Sequence, residues 1–487
     1  MAVDYDLVVI GSTQEGIYAA STAASLQARV ALVTQHDLEY LDREIIINNS
    51  IAEIARWNFL RQNNPFYTKS ETIFNPISLT EARDWALEVE STIKTQNSLT
   101  HLAALGVDVI LGKGEFCRLP KLAFNIGKRK LRSRHFLLAT GAKFLLEFIE
   151  DIQTTNCLTL NDIWQLKDFN NLPNNLVIIG GSTQSLELAQ TLTRFDKNIT
   201  LIVSQARLLP QEDLEISRLI QAYLEAEGIE IITDSVITQI REIEGRKWLQ
   251  AGDRAIETDE IIFANLRQPN ITDLNLAGVD VKYNANRVIV NSKLQTTNSR
   301  IYACGDLIGG YSLPNIALHE ANIVLKNTLF ISRFKIDYRC LPWGILTQPN
   351  LARVGITETQ AKREYGDETY IVKQYFKNIA RAQITGETTG LCKLILTQDG
   401  IILGCTIIGD RASELTSTIA LVMKHKIKLT NNLMKGMTET EFPYIYPSLT
   451  EIWQQATIDF HHQKLQRNPK LLNWLETWFN LRRDWNR

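Results

Sequence analysis

Two glycine-containing turns have the residue types and spacing that are best suited to binding a phosphate group. Gly11–Gly16 follows the apolar run 7–10, and Gly180–Ser182 follows the apolar run 176–179. Each turn precedes a segment with the apolar spacing of a helix. Because the N-terminus of a helix attracts anions and glycine lets the backbone approach them, both turns predict a phosphate-binding site.

Both turns depart from the G-x-G-x-x-G pattern of dinucleotide-binding folds, in which the middle glycine lets the backbone approach the phosphates. Thr13 stands at the middle position of the first turn, and Ser182 and Ser185 replace the second and third glycines of the other turn. A threonine side chain crowds a pyrophosphate, but its hydroxyl can also donate a hydrogen bond to one. Both interpretations of Thr13 stay open, as does a nucleotide fold with an empty pocket.

The residues that would bind ribose also differ from the usual pattern, in which an acid follows the second strand. Thr34 holds this position in the first repeat and Ser204 holds it in the second. Arg207 is close enough to Ser204 to suggest contact with a 2′-phosphate, although a surface arginine is the more common occurrence. The sequence therefore predicts no secure preference between NAD and NADP.

These residues need strands and helices that hold them at one edge of a sheet. The first turn is followed by a predicted helix at 17–26 and a strand at 30–33. The second turn is followed by a predicted helix at 186–195 and a strand at 199–203. Two such βαβ units, about 170 residues apart, indicate two doubly wound α/β domains. A long helix predicted at 315–329 precedes a region where strands alternate with helices, as in a separate α+β domain.

Four short passages carry a resemblance to known proteins. Ala139–Gly141 matches an A-T-G turn, and Arg267–Asn270 matches a second turn, A-T-G-R-x-P-N, with Leu266 where glycine usually stands. Thr296–Asp306 matches T-x-x-x-x-I-Y-A-x-G-D, and Pro349–Glu358 matches the opening of a dimerisation domain. In this order, the passages resemble the pyridine nucleotide–disulfide oxidoreductase family, which contains glutathione reductase, dihydrolipoamide dehydrogenase and mercuric reductase. The resemblance covers almost the whole chain.

The resemblance implies an α/β fold with two doubly wound, Rossmann-like nucleotide-binding domains and a C-terminal α+β dimerisation domain. A discontinuous FAD-binding domain is expected at residues 1–147 and 271–335, and an NAD(P)-binding domain at 148–270. The dimerisation domain is expected at 336–465 and a helical tail at 466–487. In this family each C-terminal domain lies against the partner's flavin site, so a homodimer is implied.

The same resemblance assigns cofactor contacts to residues that match the family's motifs. FAD would be bound by Gly11, Thr13, Gly16, Thr34, Ala139, Thr140, Gly141, Gly305 and Asp306. NADH or NADPH would be bound by Gly180, Gly181, Ser182, Glu187, Ser204 and Arg207. Glu187 matches a glutamate near the junction of flavin and nicotinamide. Asp306 would bond the ribityl–phosphate part of FAD, or would instead cap a helix, which aspartate does well.

The family's redox disulfide is missing from this sequence. In the family a C-x-x-x-x-C pair follows the second strand, takes two electrons from reduced flavin and then reduces the substrate. An ungapped comparison places Asp42 and Ile47 at the two cysteine positions, and the first cysteine of the chain is Cys117. Neither side chain can carry electrons, so the protein is predicted not to reduce disulfides in the family's way.

Two residues that serve this disulfide are also missing. Ile51 stands where the family has a lysine, which pairs with the glutamate matched by Glu187. Tyr446 replaces the histidine base of the C-terminal domain, while the glutamate that follows remains as Glu451. A phenol with an ordinary pKa near about 10 is a poor base at neutral pH. Glu187, Tyr446 and Glu451 are the remaining candidates for a catalytic role.

Two functions are compatible with this pattern. The first is a FAD-dependent NAD(P)H oxidoreductase that passes electrons from flavin directly to a non-thiol acceptor, a quinone or a redox protein, because flavin carries this chemistry itself. The alternative is a non-catalytic dimer, with or without FAD, that acts as a binding or scaffold protein. Fold alone does not choose between them.

Composition narrows the partners and the location. The sequence has 52 Lys and Arg against 54 Asp and Glu, a net charge of −2 that gives no reason to predict nucleic acid as a partner. No run approaches the roughly 18 apolar residues of a membrane span, and the first residues lack the pattern of a signal peptide. The six cysteines are scattered without C-x-x-C, which is typical of a reducing compartment. We therefore predict a cytoplasmic protein without a metal site.

The stretch 469–487 predicts a basic helix that is rich in tryptophan. Its apolar residues recur mostly at helical spacing and are Leu471, Leu472, Trp474, Leu475, Trp478, Phe479 and Leu481. Arg482, Arg483 and Arg487 follow. Tryptophan combined with arginine can mark a helix at a membrane surface. The other interpretation is a helix packed on the dimer or on its own domain.

Overall fold

The protein is described from a computed structural model. It describes residues 3–35, 42–62, 75–96, 98–118, 120–144, 155–166, 172–264, 267–429 and 442–485. The chain forms two compact units. The first consists of Met1–Arg207 and Glu227–Asp337, and the second consists of Leu208–Ala226 and Tyr338–Arg487.

The helices of the described residues are α1 (Gln14–Ser25), α2 (Asp42–Gln62), α3 (Leu79–Gln96), α4 (Leu99–Ala104), α5 (Leu160–Gln165), α6 (Thr183–Thr193), α7 (Leu214–Ala226), α8 (Pro314–Leu329), α9 (Glu358–Tyr365), α10 (Ala380–Thr385), α11 (Ala412–Lys424), α12 (Glu451–Gln466) and α13 (Pro469–Asp484).

The strands of the described residues are β1 (Tyr5–Ile10), β2 (Val30–Thr34), β3 (Asp108–Leu111), β4 (Gly114–Cys117), β5 (Ala123–Ile126), β6 (Arg129–Leu131), β7 (Ser133–Leu138), β8 (Ala142–Phe144), β9 (Leu158–Thr159), β10 (Asn175–Ile179), β11 (Asn198–Ile202), β12 (Glu230–Ile232), β13 (Ile237–Ile243), β14 (Arg246–Ala251), β15 (Arg254–Thr258), β16 (Glu260–Phe263), β17 (Arg267–Pro269), β18 (Tyr283–Asn284), β19 (Arg287–Val288), β20 (Ile301–Ala303), β21 (Trp343–Ile345), β22 (Asn350–Gly355), β23 (Tyr370–Tyr375), β24 (Leu391–Leu396) and β25 (Ile402–Gly409).

The first unit contains a parallel sheet with β1 at its centre. Its strand order is β20-β7-β1-β2-β3, and each neighbouring pair is parallel. Residues 7–10 of β1 are all buried, as a continuous apolar run requires when both faces of a sheet are covered. This arrangement brings the carboxyl ends of the strands, where the first glycine turn lies, to one edge of the sheet.

A second parallel sheet in the same unit repeats this plan. Its order is β12-β11-β10-β16-β9, with β10 in the place of β1. The backbone bonds at the sheet edge are also repeated, because the N–H of Ala139 donates to Ile10 O at 2.8 Å and the N–H of Ala264 donates to Ile179 O at 3.0 Å. The two doubly wound α/β folds predicted from the glycine turns are therefore present.

The helices after the two glycine turns begin earlier than their apolar residues predict. α1 begins at Gln14 rather than at residue 17, and α6 begins at Thr183 rather than at residue 186. The reason is that Thr13 and Ser182 are the N-cap residues, and their side-chain oxygens accept hydrogen bonds from the first turn of each helix.

The second unit is built on the antiparallel sheet β21-β22-β25-β24-β23. Its apolar core includes the fully buried side chains of Phe376, Trp453 and Phe460. α12 supplies two of these three residues, so this helix is anchored in the core. The alternation of strands and helices predicted for this part of the chain is observed.

A buried lysine lies among three carboxylates in the second unit, of which Asp213 is buried and Glu358 and Glu215 are partly exposed. Lys393 is 1% exposed and contacts carboxylates of Asp213 at 3.2 Å, Glu358 at 3.0 Å and Glu215 at 3.2 Å. Asp213 also accepts hydrogen bonds from the first turn of α9, including one of 3.1 Å from the N–H of Thr359. The pairing compensates the loss of hydration that a buried ammonium would otherwise suffer.

None of the helices described here is long and apolar enough to cross a membrane.

Candidate dinucleotide-binding site

Two glycines of the first turn are required by the packing of the backbone itself. Gly11 has φ of 107°, and a Cβ at this position would lie 1.9 Å from Ala139 O. A Cβ at Gly16 would lie 2.6 Å from Gly11 O. Any other residue would push α1 away from the end of the sheet, so these two glycines fix the helix N-terminus where a phosphate could bind.

The hydroxyl of Thr13 is used within the protein. Its Oγ1 accepts a hydrogen bond from Gly16 N at 3.4 Å and donates one to Ala139 O at 3.0 Å. The side chain is buried, with 6% of the residue exposed. Because the single hydroxyl proton is donated to a backbone carbonyl, Thr13 acts as a helix cap here and has no proton left for a pyrophosphate.

Ser182 makes the same contacts in the second repeat. Its Oγ accepts from Ser185 N at 3.2 Å and donates to Ala264 O at 3.0 Å. Ser185 in turn donates its hydroxyl proton to Ser182 O at 2.8 Å. Both turns have therefore replaced the middle glycine by a hydroxyl residue that caps the helix and bonds the end of a neighbouring strand.

The residues predicted to bind ribose lie at the strand ends, as expected, but offer hydroxyls instead of carboxylates. Thr34 is buried at the end of β2, and its Oγ1 shares a hydrogen bond of 2.8 Å with Ser12 Oγ. Ser204 is exposed just after β11, and Arg207 is half-buried. These two residues stay predictions for the nicotinamide cofactor.

Glu15 is a residue of this site that the motif comparison missed. It lies in the first turn of α1, is 3% exposed, and its Oε1 has no hydrogen-bond partner among the described residues. A Cβ at Gly305 would lie 2.1 Å from this oxygen. Burial raises the pKa of Glu15 to about 8 against the opposing effect of nearby hydrogen bonds, and the charges of Asp306 and Glu320 add to the rise. The available signal was an acidic residue inside a turn that should attract anions.

The end of the third motif is organised around Gly305. Gly305 has φ of 72°, and its N–H donates to Glu320 Oε2 at 2.7 Å. The next residue, Asp306, lies in a 3-10 helix and accepts a hydrogen bond of 2.9 Å from Ser312 Oγ. The N-cap of α8 is Leu313, so Asp306 does not cap that helix. Its carboxylate stays a predicted contact for FAD.

The two A-T-G-type turns meet, as their matching motifs suggest. β8 and β17, which follow or overlap these turns, pair in an antiparallel way. The hydroxyl of Thr140 donates to Asn270 O at 2.6 Å, and the N–H of Asn270 donates to Gly141 O at 2.9 Å. Leu266 lies outside the described residues. This double contact fixes the chain where it crosses between the two nucleotide folds.

Two of the three residues that the ungapped comparison placed at the redox positions are core side chains. Ile47 and Ile51 are 1% and 0% exposed on α2, and the side chain of Asp42 lies outside the description. Glu187 contacts an amide, because Asn48 Nδ2 donates to its Oε2 at 3.4 Å. All six cysteines of the chain are free thiols.

The two C-terminal catalytic candidates differ in their surroundings. Tyr446 is 68% exposed. Glu451 is buried at the start of α12, where its carboxylate accepts hydrogen bonds from Ala380 N at 3.3 Å and Gln455 Nε2 at 3.4 Å. These contacts give Glu451 a structural role in the second unit. No group of three or more metal-binding side chains is found within the described ranges.

The backbone at the carboxyl edge of the first sheet leaves room for a phosphate at the N-terminus of α1, and Glu15 sets a condition on this site. The close approach at Gly11 and Gly16 and the left-handed turn at Gly305 leave the backbone next to the helix N-terminus. A charged Glu15 carboxylate would repel a pyrophosphate there, whereas the protonated form would not. The residues therefore fit FAD when Glu15 is neutral, the form its raised pKa favours at neutral pH.

Two parallel sheets with a glycine turn at a helix N-terminus, together with an antiparallel α+β unit, define a protein with two dinucleotide-binding folds. The family model for "Pyridine nucleotide-disulphide oxidoreductase" matches residues 5–321, and the model for its dimerisation domain matches residues 341–457. The chain belongs to this family. Both the family and the fold class predicted from the sequence are thereby confirmed.

Among curated relatives, the chain is 29% identical to a mercuric reductase of Staphylococcus aureus over 452 residues, which cover 91% of this chain and 80% of the relative. It is 30% identical to a dihydrolipoyl dehydrogenase of Bacillus subtilis over 365 residues, which cover 72% and 75%. Members of the family bind FAD and use NAD(P)H, the cofactors that the sequence predicted.

Solved structures show the same fold. LpdA from Mycobacterium tuberculosis superposes with a TM-score of 0.81 at 20% identity, covering 93% of this chain and 99% of LpdA. The HOCl-induced flavoprotein disulfide reductase RclA from Escherichia coli superposes with a TM-score of 0.77 at 24% identity, covering 93% and 99%.

Proposed function

We propose that this protein is a FAD-dependent NAD(P)H oxidoreductase that passes electrons from flavin directly to a non-thiol acceptor, a quinone or a redox protein. The net reaction with a quinone would be NAD(P)H, a proton and quinone giving NAD(P)⁺ and quinol. When bound, FAD supplies the two-electron chemistry. The observation that carries the proposal is that no cysteine precedes Cys117; the ungapped comparison places Ile47, a buried core residue, at the position of a redox cysteine.

The residues of this chain would bind and orient the cofactors. The N-terminus of α1, at Gly11–Gly16, would hold the pyrophosphate of FAD. Asp306 would accept hydrogen bonds from the ribityl chain, and the turn at Gly180–Ser182 would hold the nicotinamide dinucleotide. Glu187, 8% exposed and bonded to Asn48, lies on α6 just after that turn.

A non-catalytic dimer is the second candidate, and Thr13 and Thr34 favour it. The hydroxyl of Thr13 is already donated to Ala139 O and leaves no proton for a pyrophosphate. The hydrogen bond between Thr34 and Ser12 also replaces the acid that would bind ribose. If FAD is not held, the same fold would act as a binding or scaffold protein.

The chain carries the family's dimerisation domain, which supports a homodimer. We propose the domain limits given above for the FAD-binding, NAD(P)-binding and dimerisation domains. The six free thiols support a reducing, cytoplasmic location.

The visible spectrum of the purified protein, followed by anaerobic addition of NADH and NADPH, tests the proposal. A flavin band that bleaches with either nucleotide supports an oxidoreductase, and reoxidation by a small quinone with turnover supports the acceptor class. Asp306→Ala should lose the flavin band and the turnover together, while Glu53→Gln, an exposed change in the same unit, should keep both. A flavin that neither nucleotide bleaches within minutes would favour the scaffold instead.

A further inference from the structure

The C-terminal helix α13 presents a large apolar surface to solvent. None of its residues is buried. Six apolar side chains are between 40% and 86% exposed, namely Leu472, Trp474, Trp478, Phe479, Leu481 and the adjoining Trp485. The rings of Trp474 and Trp478 stack with centroids 6.0 Å apart. An exposed apolar surface of this kind marks an interaction site.

The charges of α13 are placed at the borders of this surface. At about 100° per residue, the apolar side chains cover about half of the helix circumference. Lys470 and Arg483 lie at its two edges, and Glu476 and Asp484 lie on the opposite, polar side. Arg482 falls within the apolar half, where its aliphatic stem can pack while its guanidinium reaches out. This order, with cations at the borders and acids farthest away, suits a helix lying flat on a surface.

The net charge of the chain is segregated toward this helix. Residues 464–487 contain six basic and two acidic side chains, a net charge of +4, whereas the rest of the chain has 46 basic and 52 acidic side chains, a net charge of −6. A cationic end on an otherwise anionic protein directs the end toward a negative partner.

We propose that α13 lies on an anionic lipid surface, with its apolar half among the acyl chains and its cations at the headgroups. Tryptophan prefers this interface because its ring is apolar and its N–H is polar. Pairing with a second copy is disfavoured, because a two-fold interface would set two +4 segments against each other. A helix that pairs with one other helix needs only a narrow apolar stripe, whereas the apolar surface of α13 covers about half of its circumference.

Co-sedimentation of the full-length protein with vesicles tests this inference, using phosphatidylcholine alone and phosphatidylcholine mixed with phosphatidylglycerol. We expect binding to the anionic vesicles, a blue shift of tryptophan emission, and release by high salt. Arg482→Gln with Arg483→Gln should weaken binding roughly 30-fold, since each cation near such a surface contributes about fivefold. Trp474→Ser with Trp478→Ser should abolish the blue shift.

The matched control is Trp57→Ser with Trp85→Ser, which removes two tryptophans of similar exposure, 65% and 53%, from the first unit. This variant should bind vesicles like the unchanged protein. Equal binding to neutral and anionic vesicles, or equal binding by the two tryptophan variants, would overturn the inference. The inference would also be overturned if the protein failed to bind lipid and light scattering showed that the α13 variants, but not the control variant, are monomers. Vesicle binding needs neither FAD nor NAD(P)H, so its failure would leave the proposed function untouched.

Discussion

Replacing Glu15 by glutamine should change the pH dependence of FAD binding. The buried carboxyl lies beside Gly305 at the N-terminus of α1, and its pKa is raised to about 8, first by burial. Because a pyrophosphate at this place is anionic, we expect FAD to bind the protonated form and to be repelled by the charged form. Glu15→Gln keeps the shape of the side chain and removes its ionisation.

The pKa sets the size of the effect. At pH 7 most Glu15 is protonated, so the unchanged protein and Glu15→Gln should bind FAD almost equally. At pH 9 about one tenth of Glu15 is protonated if its pKa is about 8, so the unchanged protein should bind about tenfold more weakly than Glu15→Gln, a difference of about 1.4 kcal/mol.

Titration of the apoprotein with FAD, followed by quenching of flavin fluorescence between pH 6.5 and about 9.5, measures this difference. Glu53→Gln is the matched control, because it makes the same chemical change at an exposed position of the same unit. Its affinity should follow that of the unchanged protein at every pH. The reasoning would be refuted if the ratio of the FAD affinities of Glu15→Gln and the unchanged protein stayed constant from pH 7 to about 9.

Three further predictions concern stability. Thr13→Val should lower the free energy of unfolding by about 1 kcal/mol in urea, because the helix cap and the bond to Ala139 are lost; a stability equal to that of the unchanged protein would contradict the role of the hydroxyl. Lys393→Met should cost about 3 kcal/mol, because the buried carboxylate of Asp213 loses its cation, and an unchanged melting temperature would exclude this. Burial would raise the pKa of Asp213, but hydrogen bonds from Thr359 hold this pKa below its ordinary value of 3.8. The ionised carboxylate therefore stabilises the fold above pH 3.8, and this stabilisation is lost as the pH falls through the lower pKa of the folded state. Asp213→Asn should remove that part of the acid dependence in urea unfolding at pH 2 to about 6, and an acid dependence identical to that of the unchanged protein would contradict it.

The two repeated α/β folds could be predicted because short stretches of sequence indicate each of them. Two apolar runs, each followed by a glycine turn and a helical pattern, are enough to place β1 and β10 at the centres of two sheets. Apolar spacing alone predicts helix starts three residues too late, because it does not include the capping residues. A hydroxyl residue at the middle position, as at Thr13 and Ser182, is itself the signal of a helix N-cap.

The condition set by Glu15 was not predictable in the same way. The effect of Glu15 on FAD binding arises because Glu15 and Gly305, about 290 positions apart, meet at one sheet edge. A sequence pattern does not show which distant residues come into contact. The same holds for Glu320, whose carboxylate bonds Gly305 N from the helix α8. In contrast, the missing disulfide could be read from the sequence, because absence of cysteine before Cys117 does not depend on folding.

The choice of electron acceptor tests the central claim most directly. The purified, FAD-loaded protein is given NADH or NADPH together with either a small quinone or one of oxidised glutathione, lipoamide and thioredoxin, and nucleotide oxidation is followed at equal enzyme concentration. The account predicts turnover with the quinone and none with the three disulfides, because no cysteine precedes Cys117 to form the family's redox disulfide. Rapid turnover with any of the three disulfides, or none with any quinone, would contradict it.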